Sequence, residues 1–294
     1  MGLFEEYRKS LKRVEVEEVA DLVLYRPLAF LFVKAVYRTS LTPNQITGLS
    51  MLAGLAAGVC FAVGQPTTAT VGAGLWALAL VLDCADGQLA RLKKNGTRLG
   101  RALDGLVDYV TGISAYVGIS IGLKPAGWTA GRWWLLMTIA AASNIFHSMA
   151  FDYYRTRFLN VVQGFPENED EDFRDFTSEL RTLRASGRKS FGRFVIGIYV
   201  AYLNLQRRTT VRWDADSPLR RIPIDRFRRA NTVIQRFWTM LGPSFAITLI
   251  IAAVLFRRFD WIFWGMIVVL NGVAAVLYLV QALIDRRLER RSSS

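Results

Sequence analysis

The stretch TPNQITGLSMLAGLAAGVCFAVGQP, residues 42–66, contains no charged side chain. Pro43 stands where the first helical turn would begin, a place where its missing N–H costs nothing, and Gly64-Gln65-Pro66 closes the run. Pro43 to Val63 is enough helix to cross about 30 Å of hydrocarbon at about 1.5 Å per residue. Runs of the same kind recur along the chain, at about Thr70–Leu92, Leu99–Leu123, Trp133–Phe151, Phe237–Phe256 and Trp261–Ile284. The pattern predicts an all-α, polytopic membrane protein with six transmembrane helices.

The composition agrees. Apolar residues make up 52% of the 294 and mean hydropathy is +0.25, yet 21% of residues are charged. A soluble domain would interleave the two at helical or strand period, whereas here the charge comes in blocks between the apolar runs. Nucleic acid, an anionic membrane surface or anionic substrates could each account for a net charge of +13. The arginines flank apolar segments and no nucleic-acid-binding motif is present, so the membrane is the expected partner and nucleic acid is not. Cys60 and Cys84 lie inside apolar runs, which argues against a disulfide framework. The N-terminus lacks the apolar core of a signal peptide, and Glu6 breaks a myristoylation motif begun by Gly2.

Four regions follow. Residues 1–40 read as an amphipathic surface segment, with Leu3, Tyr7 and Leu11 at helical spacing among Glu5, Glu6, Arg8 and Lys9. Residues 41–154 hold the first four spans. Residues 155–236 form an insert that opens acidic (ENEDEDF, 167–173) and turns basic (RTLRASGRKSFGR, 181–193). Its apolar run, Phe194 to Leu205, is too short to span, and reads either as an interfacial or re-entrant helix or as part of a solvated subdomain. Residues 237–294 carry the last two spans and a basic tail.

Loop charges set the orientation. The N-terminal segment, RLKKNGTR (91–98), the insert and RRLERR (286–291) are basic; GQPTT (64–68) has no charge and the third-to-fourth link holds only Lys124 and Arg132. Both termini are therefore expected in the cytoplasm, with Arg257-Arg258 the one dissenting pair. Asn95-Gly96-Thr97 then reads as a cytoplasmic turn rather than a glycosylation site. Tryptophans near span ends, including Trp133, Trp134, Trp238, Trp261 and Trp264, are expected as interfacial anchors. Asn144, His147 and Asn271 are expected as polar packing groups between helices.

Four aspartates stand out against this background. A charged group within a span costs about 2.5–3.5 kcal/mol on insertion scales. Asp83 and Asp86 lie near the end of span two, three residues apart and so on one helix face. Gly100, Asp104 and Asp108 share one face at the start of span three. A short link turns the two faces toward each other at one membrane level. Carboxylates so close need cations, and an oxygen-only set suits Mg²⁺, Mn²⁺ or Ca²⁺, with room for two ions. One histidine and two dispersed cysteines argue against zinc. The competing reading pairs the aspartates with Arg91, Lys93, Lys94, Arg98 and Arg101 as helix-end salt bridges.

The stretch DCADGQLARLKKNGTRLGRALDGLVD, 83–108, resembles the signature of the CDP-alcohol phosphatidyltransferase family, D-x-x-D-G-x-x-A-R, eight residues, then G-x-x-x-D-x-x-x-D. Every fixed position matches: Asp83, Asp86, Gly87, Ala90, Arg91, Gly100, Asp104 and Asp108. The resemblance implies a metal-dependent transfer of a phospho-alcohol from a CDP-alcohol to an acceptor hydroxyl, with CMP leaving. It implies Asp83, Asp86, Asp104 and Asp108 as ligands of an Mg²⁺ or Mn²⁺ pair, and Asp108 also as catalytic base. It implies a nucleotide pocket of Asp83, Gly87, Ala90, Arg91 and Gly100, joined by Asn44 from the Thr42-Pro43-Asn44 opening of span one. A homodimer is implied as well. The donor expected is CDP-diacylglycerol; a CDP-choline or CDP-ethanolamine donor with diacylglycerol as acceptor is the alternative. Arg155 and Arg157, at the end of span four, are candidates for an acceptor or lipid phosphate, or are plain positive flanking charges. A divalent-cation transporter is the reading from another class, disfavoured because the aspartates sit toward one interface and no internal repeat is visible.

Overall fold

The computed structural model describes residues 3–11, 14–163, 168–185, 191–209 and 222–290. Among these there is no strand. A short α1 (Leu3–Ser10) and α2 (Arg26–Val36) precede four long helices: α3 (Pro43–Val63), α4 (Pro66–Lys93), α5 (Arg98–Gly122) and α6 (Ala130–Val162). The insert contributes α7 (Asn168–Ala185) and α8 (Phe191–Thr209). The chain closes with α9 (Ile224–Trp238), α10 (Pro243–Leu255), α11 (Asp260–Phe263) and α12 (Leu270–Arg290). Among the described residues, five helices are long and apolar enough to cross a membrane, α11 and α12 forming one of them over Asp260–Arg290; counting one bent pair of helices as a single span makes six.

The sequence explains how α3, α4 and α5 stand together. Thr42 caps α3 in a reciprocal box: its hydroxyl accepts from the Gln45 N–H at 3.4 Å, and its own N–H donates to Gln45 Oε1 at 2.9 Å. Gly64 ends the helix at φ +76°, where a side chain would be strained. Gly54 and Gly58 of α3 and Gly118 and Gly122 of α5 are each four apart. A Cβ at Gly58 would fall 2.0 Å from Ser114 Oγ, and one at Gly118 would fall 2.1 Å from the Gly58 carbonyl. The two helices run parallel with backbones in near contact, the small-residue packing that membranes favour where water gives no hydrophobic drive. Antiparallel α4 completes the trio, tied by the Ser50 hydroxyl donating to the Ala79 carbonyl at 2.9 Å.

A second group of helices gathers α6, α9, α10 and α12 around buried Trp133, Met137, Trp238, Ile250 and Met266. Tyr154 stacks on Trp238 with ring centres 4.0 Å apart. Gln281 donates to Asn231 at 2.8 Å and to Asp285 at 3.0 Å, and Asp285 holds both guanidinium nitrogens of Arg157 at 2.6 and 2.7 Å. Deeper in the bundle His147 meets Asn271 at 3.0 Å, and Asn271 donates to Ser143 at 3.1 Å, which is helix packing as expected.

Several sequence expectations shift. Span four continues as helix to Val162, past the expected start of the insert. The expected fifth span is not straight: α9 and α10 meet at a 43° bend, where Gly242-Pro243 interrupts the hydrogen-bond ladder. The carboxylate of Glu18 fills the gap by accepting from the Phe245 N–H at 3.1 Å. Trp133 and Trp238 are not interfacial anchors but fully buried core, Trp133 donating its indole N–H to the Ser120 carbonyl at 2.9 Å; Trp134 and Trp264 are exposed. The apolar run of the insert lies within α8.

Candidate active site

α3 and α5 begin, and α4 ends, at one end of the bundle. α4 leaves its last turn through Lys94, in the left-handed region at φ 53°, and the Ala90 carbonyl accepts both the Lys94 and the Asn95 N–H. Thr97 then caps α5 by accepting from the Gly100 N–H at 3.0 Å. This tight link turns the aspartate face of α5 back onto that of α4. Carboxylate oxygens of Asp83, Asp86 and Asp104 consequently lie within 4.8 Å of one another. Asp108 is one turn further along α5, exposed, and outside that 4.8 Å group.

These three carboxylates suit a divalent ion. Asp83 Oδ1 is buried and receives no hydrogen bond among the described residues, so it is an acceptor that lacks a donor. Asp86 is 5% exposed and is held by the Thr47 hydroxyl of α3. Two of the cations that a salt-bridge reading requires donate to backbone instead: Arg91 Nε to the Ser10 carbonyl at 2.6 Å, and Lys93 Nζ to the Thr39 and Leu41 carbonyls at 3.0 and 2.9 Å. Clustered hard oxygens with an orphaned acceptor are a donor set for a hard cation.

Residues 40–162 match the family model CDP-alcohol phosphatidyltransferase. Over this segment the chain is similar to that family. No curated protein matches the chain. A CDP-alcohol phosphatidyltransferase passes a phospho-alcohol from a CDP-alcohol to an acceptor alcohol, and the matched segment contains the whole aspartate site together with α3.

The other motif positions have identifiable neighbours. The Arg91 side chain lies back over Gly87, its terminal nitrogens 3.4 and 3.5 Å from where a Cβ would be. A Cβ on Gly100 would fall 2.6 Å from Asn44 Oδ1, so Asn44 and Gly100 face each other across the α3–α5 contact. Arg157 is occupied by Asp285, whereas Arg155 lies over the Phe151 ring at 5.9 Å, 4.0 Å from Asp152.

Sequence reading missed three contributors. Thr47 gave no signal, because a threonine in an apolar helix usually bonds its own backbone, as this one also does at Pro43 (3.1 Å). Ser10 ties α1 to the motif arginine through a carbonyl, and any residue type supplies a carbonyl. The third is a basic groove of about 670 Å³ between α9 and α12, lined by Arg226, Arg229 and Arg287 with Ala230, Ile284 and Leu288. The Arg157–Asp285 pair aligns the ends of α6 and α12, which puts the groove at the aspartate end of the bundle.

Proposed function

We propose that this chain transfers a phosphatidyl group from CDP-diacylglycerol to the hydroxyl of a soluble acceptor in phospholipid synthesis, at the cytoplasmic face of a membrane. The observation that carries the proposal is the convergence of Asp83, Asp86 and Asp104 from two helices within 4.8 Å, beside the exposed carboxylate of Asp108.

Asp83, Asp86 and Asp104, joined by Asp108, would hold Mg²⁺ or Mn²⁺, most simply as two ions. Bound metal supplies charge stabilisation for the pyrophosphate oxygens and for CMP as it departs. The chain's own groups do the rest. Asp108, reachable from solvent, accepts the proton of the acceptor hydroxyl. The hydroxyl oxygen bonds to the β-phosphorus, the bond from that phosphorus to the CMP oxygen breaks, and CMP leaves. Asn44, Gly87, Ala90, Arg91 and Gly100 surround the nucleotide. Arg155 and the arginine groove favour a phosphate-bearing acceptor or an anionic lipid near the site; Arg157 acts through Asp285 by fixing α6 to α12. Basic loops at the aspartate end support the cytoplasmic orientation, and family likeness supports a homodimer.

The test is CMP release by purified protein with CDP-diacylglycerol and Mg²⁺ or Mn²⁺ against a panel of acceptors, with Asp108→Asn alongside. Acceptor-dependent release that the variant lacks supports the proposal and names the acceptor. Release only with CDP-choline or CDP-ethanolamine and diacylglycerol reverses the lipid role. Metal flux without release from any CDP-alcohol sinks the enzymatic reading in favour of a transporter.

A further inference from the structure

The insert is built onto the motif helix. α7 and α8 pack together through Phe176, Leu180, Val195 and Ile196, all buried, and close on Ala102 of α5, with Leu103 and Leu106 beside it. Tyr199 of α8 lies over Gly105, its ring carbon 3.6 Å from where a Cβ would be. Phe176 packs against Tyr199 at 4.8 Å between ring centres and carries the Arg101 guanidinium at 5.5 Å.

Helical geometry gives this contact its meaning. At about 100° per residue, Gly100, Asp104 and Asp108 define one face of α5, and Ala102, Leu103 and Leu106 centre on the other side. α8 therefore presses on the back of the metal-binding turns, opposite the face on which α3 meets α5 through Gly100, Thr111 and Gly118. α4 brings two of the three clustered carboxylates and α5 only one, so the site depends on how α5 is rotated about its own axis. A side-chain tip lies about 5–6 Å from a helix axis, and a 20° rotation moves it by about 2 Å, more than a metal site tolerates.

We propose that the α7–α8 hairpin is a positioning element of the active site: it fixes the rotation of the metal-binding end of α5 and thereby sets metal affinity. The proposal rests on the metal-dependent reading above and adds to it a job for the insert. Tyr199 and Ile196 are positioning residues that act through Asp104 and Asp108.

Mn²⁺ binding by the full-length protein, measured by electron paramagnetic resonance without any substrate, tests it. Ile196→Ala/Tyr199→Ala is expected to weaken Mn²⁺ binding about ten-fold, as losses of supporting contacts around metal ligands do. Tyr199→Phe, which keeps the ring, is expected to match wild type, and so is Ile198→Ala on the exposed face of α8. Gly105→Leu approaches the same contact from α5: it should weaken binding by crowding Tyr199, and Gly105→Leu/Tyr199→Ala should recover part of the loss. This pair keeps the proposal testable if the α8 double variant fails to fold. Unchanged Mn²⁺ affinity in folded Ile196→Ala/Tyr199→Ala, or an Ile198→Ala loss of equal size, overturns the hairpin's role and leaves the proposed function standing. Wild type that binds no Mn²⁺ overturns both.

Discussion

Thr47 offers the sharpest test of how the site is held. Its hydroxyl, from α3, donates to Asp86 Oδ2, and Asp86 is 5% exposed, so water has little room to replace a lost donor. Thr47→Val keeps the side-chain shape and removes only the donor. A hydrogen bond to a charged group contributes about 1.5–3 kcal/mol. Losing a partner of a metal ligand costs about 10–100-fold in affinity, and at about 1.36 kcal/mol per decade that is roughly 1.4–2.7 kcal/mol. The two routes agree, so the Mg²⁺ or Mn²⁺ concentration for half-maximal CMP release should rise by one to two orders of magnitude. The metal concentration needed to raise the melting temperature should rise in parallel. Thr47→Ser keeps the hydroxyl and should stay near wild type. A Thr47→Val half-saturation within about two-fold of wild type would refute the reasoning; an equal loss in Thr47→Ser would show that packing, not the hydroxyl, matters.

Other predictions bear on the scaffold. Gly58→Val puts carbon where Ser114 Oγ lies 2.0 Å away and should destabilise the protein by about 1–3 kcal/mol or more, seen as a lower melting temperature. Gly74→Ala, with nothing within 4 Å, should be neutral or slightly stabilising in the same assay. Arg157→Ala takes the cation from Asp285 and leaves it the Gln281 donor; because the Asp285 side chain is also 24% exposed, the expected loss is about 2–3 kcal/mol, at or below the lower end for a broken buried pair, measurable by thermal unfolding in detergent. Glu18, outside the spans, is pushed well above the usual glutamate range by burial and then by Asp21, against the Phe245 N–H and Arg155. The fold thus prefers the protonated form, and wild type should lose stability relative to Glu18→Gln as pH rises above 4.5, the ordinary glutamate value. Melting temperatures of both proteins across pH 4.5–8 check this, and a constant difference counts against it.

How much of this could be read from the sequence depends on the distance over which each feature is decided. Spans such as Pro43–Val63 are written locally: an uncharged run, a proline at its start and a glycine at its end fix both length and limits. The aspartates were legible for a related reason. A carboxylate in a span is costly enough that its presence needs a cause, and spacings of three and four residues fix which helix faces carry the group. The break in the fifth span was not legible in that way. Gly242-Pro243 marks it, but what makes it tolerable is Glu18, whose carboxylate reaches the exposed N–H of Phe245 across 227 residues of sequence. A Cβ on Gly242 would fall 2.2 Å from the Glu18 carboxyl carbon, so cap and glycine require each other. The apolar run of the insert was ambiguous for a similar reason: its partner is Ala102 with Leu103 and Leu106, and nothing within α8 names them.

The two glycines of the motif show how far a pattern and its physical cause can separate. The resemblance implies that Gly87 and Gly100 line a nucleotide pocket, where a bare backbone would let a ligand come close. In the structure protein atoms already occupy much of that space. Arg91 lies over Gly87, and Asn44 Oδ1 lies 2.6 Å from the Cβ position of Gly100. Each glycine therefore admits a side chain of the chain itself, and each of those side chains is one the nucleotide pocket is expected to use. A methyl group at either position would displace Arg91 or Asn44, and on the proposed reading would reach the nucleotide through them. At Gly100 it would also press on Thr97 Oγ1, 3.1 Å away, the cap that starts α5 and sets where Asp104 stands. On the proposed reading the two glycines set the positions of Arg91 and Asn44, and Gly100 also links Asn44 to the turn of α5 that carries Asp104.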